Sequence, residues 1–223
     1  MSKLKLRDKK VIIFGGTGSL GKEIINLLDD EDANLIIVSR NIDKLKVISK
    51  NLKNKHIFVE CDVTDYNYLK DSLEKLDISE VSYSLNLVGG YSDISIDKYD
   101  ESKLKQILLN TVLSLTNPTN IVKDSLKNNN GKLIYISSSS LNNVSKKNTG
   151  YQISKKSAEI WLEGLNHYFS ESNAEAVTLR INQIVDEETE KKGVTAKNLS
   201  KEIIKIMKNE KNIKKIIEVK NGD

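Results

Sequence analysis

The stretch Val11-Ile12-Ile13-Phe14-Gly15-Gly16-Thr17-Gly18-Ser19-Leu20-Gly21, continuing into Lys22-Glu23-Ile24-Ile25-Asn26-Leu27-Leu28, decides the fold. A short, uninterrupted apolar run reads as a strand buried on both faces, and the apolar spacing that follows Gly21 reads as a helix. Between them Gly15, Gly18 and Gly21 stand three residues apart. A loop of this kind turns tightly, lets backbone amides approach a pyrophosphate, and presents the positive end of a helix to its charge. Gly15, Thr17, Gly18, Ser19, Leu20 and Gly21 are therefore candidate dinucleotide contacts. No Gly-Lys-Ser/Thr closes the loop, which excludes a P-loop.

Working outward, the same alternation of strand and helix continues. Short β-branched runs occur at Val11–Phe14, Leu35–Val38, His56–Val59, Tyr83–Val88, Lys132–Ser137, Ala176–Ile181 and Ile216–Val219. Helical spacing fills Leu20–Leu28, Asp43–Leu52, Tyr66–Leu76, Lys98–Lys127, Gln152–Phe169 and Ala196–Lys208. This pattern predicts one Rossmann-type, doubly wound α/β domain over 1–223, with a seven-stranded parallel sheet and helices on both faces. Pro118, the single proline, falls inside the fourth helical segment. It either splits that helix or kinks it after Asn117. The apolar face that continues through Ile121, Val122 and Leu126 favours the kink.

Composition narrows the function classes. With 35 Lys+Arg against 31 Asp+Glu, the net charge of +4 is spread along the chain. That describes a solvated surface rather than a nucleic-acid stripe. The basic start, MSKLKLRDKK, leads into only four apolar residues, too few for a signal-peptide core, and no run approaches the length of a membrane span. One cysteine, Cys61, and two histidines argue against a disulfide framework and against a His/Cys metal cage. The expectation is a cytoplasmic protein with no nucleic-acid or membrane partner. The stripe of Ala158, Trp161, Leu162, Leu165 and Phe169 reads as core or subunit interface.

The second strand ends in Ser39-Arg40-Asn41. A carboxylate here would accept hydrogen bonds from the adenosine ribose and favour NAD. Arg40 instead suits a 2′-phosphate, so NADP is the expected cofactor and NAD the lesser alternative. Asp43, just beyond, reads as a helix N-cap.

A tyrosine four residues ahead of a lysine on a helix places a phenol beside an ammonium, which eases ionisation of the phenol. Eight tyrosines in so lysine-rich a chain produce such pairs by chance, and three are present: Tyr66/Lys70, Tyr99/Lys103 and Tyr151/Lys155. Only the last opens a helix that follows a strand tipped with serines, Ser137 to Ser140, at the carboxyl edge where α/β sheets bind ligands.

Together these motifs resemble the short-chain dehydrogenase/reductase family along nearly the whole chain. Asp62-Val63 after the third strand stands where the family places an acidic residue near the adenine, and Asn86-Leu87-Val88-Gly89 resembles its Asn-x-x-Gly. Asn110 lies where the family keeps a catalytic asparagine, and Ser138 precedes Tyr151 by the family's usual 13 residues. The resemblance implies a hydride transfer between a nicotinamide and a carbonyl or alcohol substrate. Tyr151 would be the general acid, Lys155 its partner and ribose ligand, Ser138 the carbonyl holder, and Asn110 the anchor of a relay water. Ser139 is the rival of Ser138 if the register differs by one. Ser39, Arg40, Asn41, Asp62, Val63, Asn86, Gly89 and Ile184 join the expected cofactor contacts.

The usual Pro-Gly after strand six is missing, with Ile181-Asn182 in its place. This leaves a second reading, a non-catalytic NADP-binding regulator or sensor. A third, a nucleotide-sugar epimerase or dehydratase, is disfavoured because only 68 residues follow Lys155. The resemblance also implies a homodimer or homotetramer built through the fourth and fifth helical segments.

Overall fold

In the computed structural model, which describes residues 6–185, 193–209 and 215–219, side chains alternate along each strand between two apolar cores. Val11 and Ile13 point into one core and Ile12 and Phe14 into the other. Leu35 and Ile37 oppose Ile36 and Val38 in the same way. That period of two, with every position apolar, makes these strands the interior of a three-layer sandwich.

The elements run β1 (Lys10–Phe14), α1 (Ser19–Asp30), β2 (Asn34–Ser39), α2 (Ile42–Ser49), β3 (Ile57–Glu60), α3 (Tyr66–Glu74), β4 (Val81–Asn86) and α4 (Glu101–Leu108). A π-helical turn (Leu109–Leu113) joins α4 to α5 (Ser114–Asn128), and β5 (Lys132–Ser138) leads through a 3₁₀ turn (Ser139–Asn142) to α6 (Thr149–Tyr168). The chain then forms β6 (Glu175–Ile181), β7 (Ile184–Val185), β8 (Val194–Thr195), α7 (Ala196–Lys208) and β9 (Ile216–Glu218). The main sheet is parallel and seven-stranded, in the order β3-β2-β1-β4-β5-β6-β9. Apolar residues of α1, α2 and α7 cover one face, and those of α3, α5 and α6 the other. The winding reverses between β1 and β4, and the crevice this opens at their carboxyl ends is where such sheets take ligands.

Two-residue strands β7 and β8 pair parallel to each other outside the main sheet, an element too short to leave a periodic signal. Asn41, not Asp43, caps α2: its side chain accepts from the Lys44 amide at 2.9 Å. Asp43 sits in the first turn instead, beside Lys46.

The irregularity attributed to Pro118 lies a turn upstream of Asn117. Pro118 has no N–H to offer the Ser114 carbonyl, so that acceptor is left open inside the helix. The Asn86 amide fills it from the end of β4 at 2.7 Å. The helix widens into the π turn just before Ser114 and then runs on through Pro118.

Candidate functional site

The glycine loop sits at the sheet's switch point. Gly15 has φ +91°, and a Cβ there would lie 2.9 Å from the Val88 nitrogen, where the chain leaves β4. A Cβ on Gly21 would meet the Gly16 carbonyl at 2.6 Å. Both positions require glycine, because two backbone segments pass through space a side chain would fill. Helices α2, α3, α4 and α7 carry side-chain caps from Asn41, Asp65, Asp100 and Thr195, but α1 begins at Gly18 with none. Its first amides therefore remain available to an anion.

Three adjoining hollows run along the carboxyl edge. The first, about 270 Å³, is lined by Gly15, Thr17, Ser39, Arg40, Asp62 and Val63, with Asn110 on its wall. Here Thr17 and Ser39 share a hydrogen bond of 2.8 Å, and Arg40 lies 3.8 Å from Asp62 with most of its side chain in solvent. Burial pushes the Asp62 carboxyl up, but the Thr64 amide and hydroxyl, helped by Arg40, outweigh it and hold the group below its ordinary range. A smaller hollow of about 150 Å³ joins Gly18, Ser19, Leu20 and Gly21 to Ile184. The third, about 640 Å³, gathers Gly89, Ser138, Tyr151, Lys155 and Ile184. Leu87 lines all three. The residues fit a bound dinucleotide: an uncapped helix start, two side-chain-free approaches and a cation at the far end of one groove.

Within the large hollow, Lys155 is almost wholly buried. Its Nζ donates to the Tyr135 hydroxyl at 3.1 Å and to the Ile136 carbonyl at 2.9 Å, and lies 5.9 Å from the centre of the Tyr151 ring. Burial pushes this ammonium down to about 8, against an opposing pull from Glu159. Burial also raises the Tyr151 phenol, Ser138 draws it partly back, and Tyr91 adds to the rise. Tyr91 meets the Tyr151 ring edge-on at 5.1 Å. Ser138 lines the hollow and donates to Ser140, whereas Ser139 does not line it.

Three expected residues fall elsewhere. Asn86 is buried and lines none of these hollows, because its amide is spent on Ser114. Asn41 serves as the α2 cap. Asn110 lines the first hollow rather than the one holding Tyr151; its side-chain oxygen accepts from Gln106 at 3.1 Å and its carbonyl from Ser114 at 2.7 Å. The competing pairs stay on the surface: Tyr66 accepts from Asn120, Lys70 meets Glu74, and Tyr99 precedes α4.

Sequence reasoning missed the layer beneath the site. Glu159, one turn after Lys155 on α6, is buried between Ser137, which donates to it at 2.8 Å, and Arg180, which meets it at 2.6 and 2.9 Å. A lone carboxylate inside the apolar stripe Ala158, Leu162 and Leu165 was the available signal. Tyr135 faces the same side of β5 as Leu133, and nothing in its neighbourhood marks it as polar. In the stripe itself Trp161 is turned outward while the other four are buried.

Comparison with known proteins follows the same lines. The family model for short chain dehydrogenase matches residues 9–212. The bovine 3-oxoacyl-[acyl-carrier-protein] reductase is 23% identical over 134 residues, 59% of this chain, and the chain spans only 56% of that relative's length. An uncharacterized oxidoreductase of Staphylococcus aureus (strain N315) is 26% identical over 183 residues, covering 78% of this chain and 77% of its own. An alcohol dehydrogenase from the archaeon Thermococcus sibiricus, solved with 5-hydroxy-NADP, superposes with a TM-score of 0.84 at 16% identity, over 96% of this chain and 95% of its own. At that identity the likeness speaks for the fold.

Proposed function

Because this chain belongs to the short-chain dehydrogenase family, we propose that it is an NADP-dependent oxidoreductase acting on a carbonyl or alcohol substrate. The observation that carries the reading is the shared hollow of Ser138, Tyr151 and Lys155, open along Leu87 and Gly89 to the glycine loop. When bound, the nicotinamide supplies or accepts the hydride. Tyr151 holds the proton: its phenol, protonated near neutral pH in any case and raised further by burial, gives that proton to the substrate oxygen as charge develops there. Lys155, charged below about pH 8, eases that release by stabilising the tyrosinate. Ser138, turning its one hydroxyl proton from Ser140 to the substrate, holds the same oxygen by a hydrogen bond. Ser39 and Thr17 form the floor, and Arg40 the rim, for an adenosine ribose bearing a 2′-phosphate.

One observation favours a second reading, an NADP-binding regulator without turnover: Asn110 stands outside the Tyr151 hollow with both oxygens engaged. A panel of carbonyl compounds, followed by loss of nicotinamide absorbance with the parent and with Tyr151→Phe, separates the two. Turnover lost in Tyr151→Phe with NADPH affinity retained supports the enzyme. A variant as active as the parent on a confirmed substrate overturns the assignment, and no turnover on any compound favours the regulator.

A further inference from the structure

Tyr135 lies on β5 opposite Asn86, its ring sealed in the apolar layer under α5 and α6. A phenylalanine would fill that space, and a phenolic oxygen buried there costs free energy unless it is hydrogen-bonded. Its partner is Lys155 Nζ at 3.1 Å, which also stands 4.8 Å from the centre of its ring. An ammonium has three donors. The Tyr135 hydroxyl takes one and the carbonyl of the next residue, Ile136, takes another at 2.9 Å. Two adjacent residues of one strand thus fix the nitrogen. Its open side faces Gly89, whose Cβ position would be 3.6 Å away, across the floor of the large hollow.

We infer that Tyr135 is a positioning residue, whose buried hydroxyl fixes Lys155 Nζ with one donor directed into the hollow and helps hold it as an ammonium. The inference rests on the oxidoreductase reading, since it gives the aimed lysine its use. The ionisable groups around Lys155 are few among the described residues. Tyr151, Lys156 and Glu159 share its helix, Tyr135 faces it from β5, and Arg180 of β6, with Lys156 at 4.0 Å, engages the Glu159 carboxylate. Tyr91, beyond β4, faces Tyr151. Tyr135 does not serve as a proton donor at working pH, because burial, Tyr151 and Glu159 together push its phenol far up.

Tyr135→Phe keeps the ring and deletes only the acceptor. An acceptor to a charged donor is worth enough to move the Lys155 titration down by about one to two pH units. The ratio of variant to parent kcat should therefore fall as pH rises, with the alkaline limb of the profile displaced by that amount. The NADPH dissociation constant, followed by nicotinamide fluorescence, should rise severalfold at pH 8 and less at pH 6. Thermal melting without cofactor reports folding separately. Should Tyr135→Phe not fold, fluorotyrosine placed at position 135 keeps the shape and weakens the acceptor, with a smaller displacement of the same sign expected. A lowered melting temperature with the parent's pH profile and NADPH affinity would reduce Tyr135 to a packing role and overturn the inference. That result leaves the proposed function standing if Tyr151→Phe is inactive, whereas an active Tyr151→Phe removes the proposed function itself.

Discussion

Arg40 and Lys155 mark the two ends of the groove, and each can be tested by a single substitution. No carboxylate ends β2 on the groove, while the Arg40 guanidinium is exposed at its rim. NADPH should therefore bind at least tenfold more tightly than NADH, and Arg40→Asp should reverse the order in a fluorescence titration. Equal affinities in the parent would contradict the assignment. Lys155 links function to stability with a definite sign. Its titration falls from 10.5 in the open chain to about 8 when folded. Between those values the unfolded chain binds more protons, so stability rises with pH there. Below about 8 the cost of the buried ammonium is fully expressed, an effect of up to about 3 kcal/mol. Lys155→Met should thus lose activity yet resist urea better than the parent at pH 7, with the margin closing toward pH 10. A variant less stable at every pH would show that the hydrogen bonds to Tyr135 and Ile136 outweigh the desolvation.

At the scale of elements, the join of α4, the π turn and α5 rests on an exchange between two residues distant in sequence. Pro118 withholds a donor from Ser114, and Asn86 supplies one from β4. Asn86→Ala should cost about 2–3 kcal/mol by leaving a buried carbonyl without a partner. Pro118→Ala restores an N–H that can reach the same carbonyl, so the double variant should recover about 1 kcal/mol of that loss. Strict additivity in urea unfolding would break the link. This exchange also shows why the sequence was legible only in part. The strands and helices follow from local periodicity, and Tyr151, Lys155, Ser138 and the glycine loop follow from local motifs. Asn86 carried a motif but serves the neighbouring helix, because its role depends on a register between β4 and α5 that no spacing encodes. Tyr135 and Glu159 were hidden for the same reason: each gains its partner across the layers.

For the whole molecule, the apolar surface left uncovered points to a second copy of the chain. The π turn packs against α6, and side chains on the outer faces of both are exposed: Leu109 and Leu113 on the first, Ile153, Ile160 and Trp161 on the second. They stand on the two segments expected from sequence to carry an interface, although Trp161 was there grouped with residues that prove to be core. Single exposed apolar side chains are ordinary, but five of them on two elements that pack together suit an association surface. Among the described residues no helix is long and apolar enough to cross a membrane. The occupant to test is a second copy of the chain. Light scattering at micromolar concentration should give at least twice the chain mass of 25.1 kDa. Placing charge on α6, with Ile160→Glu and Trp161→Glu together, should return the monomer mass. Ile160 is mostly and Trp161 partly in solvent in the single chain, so the fold should be kept, and an unchanged far-ultraviolet dichroism spectrum checks it. A parent that remains a monomer at these concentrations would end the proposal, and an oligomer indifferent to both substitutions would move the interface elsewhere.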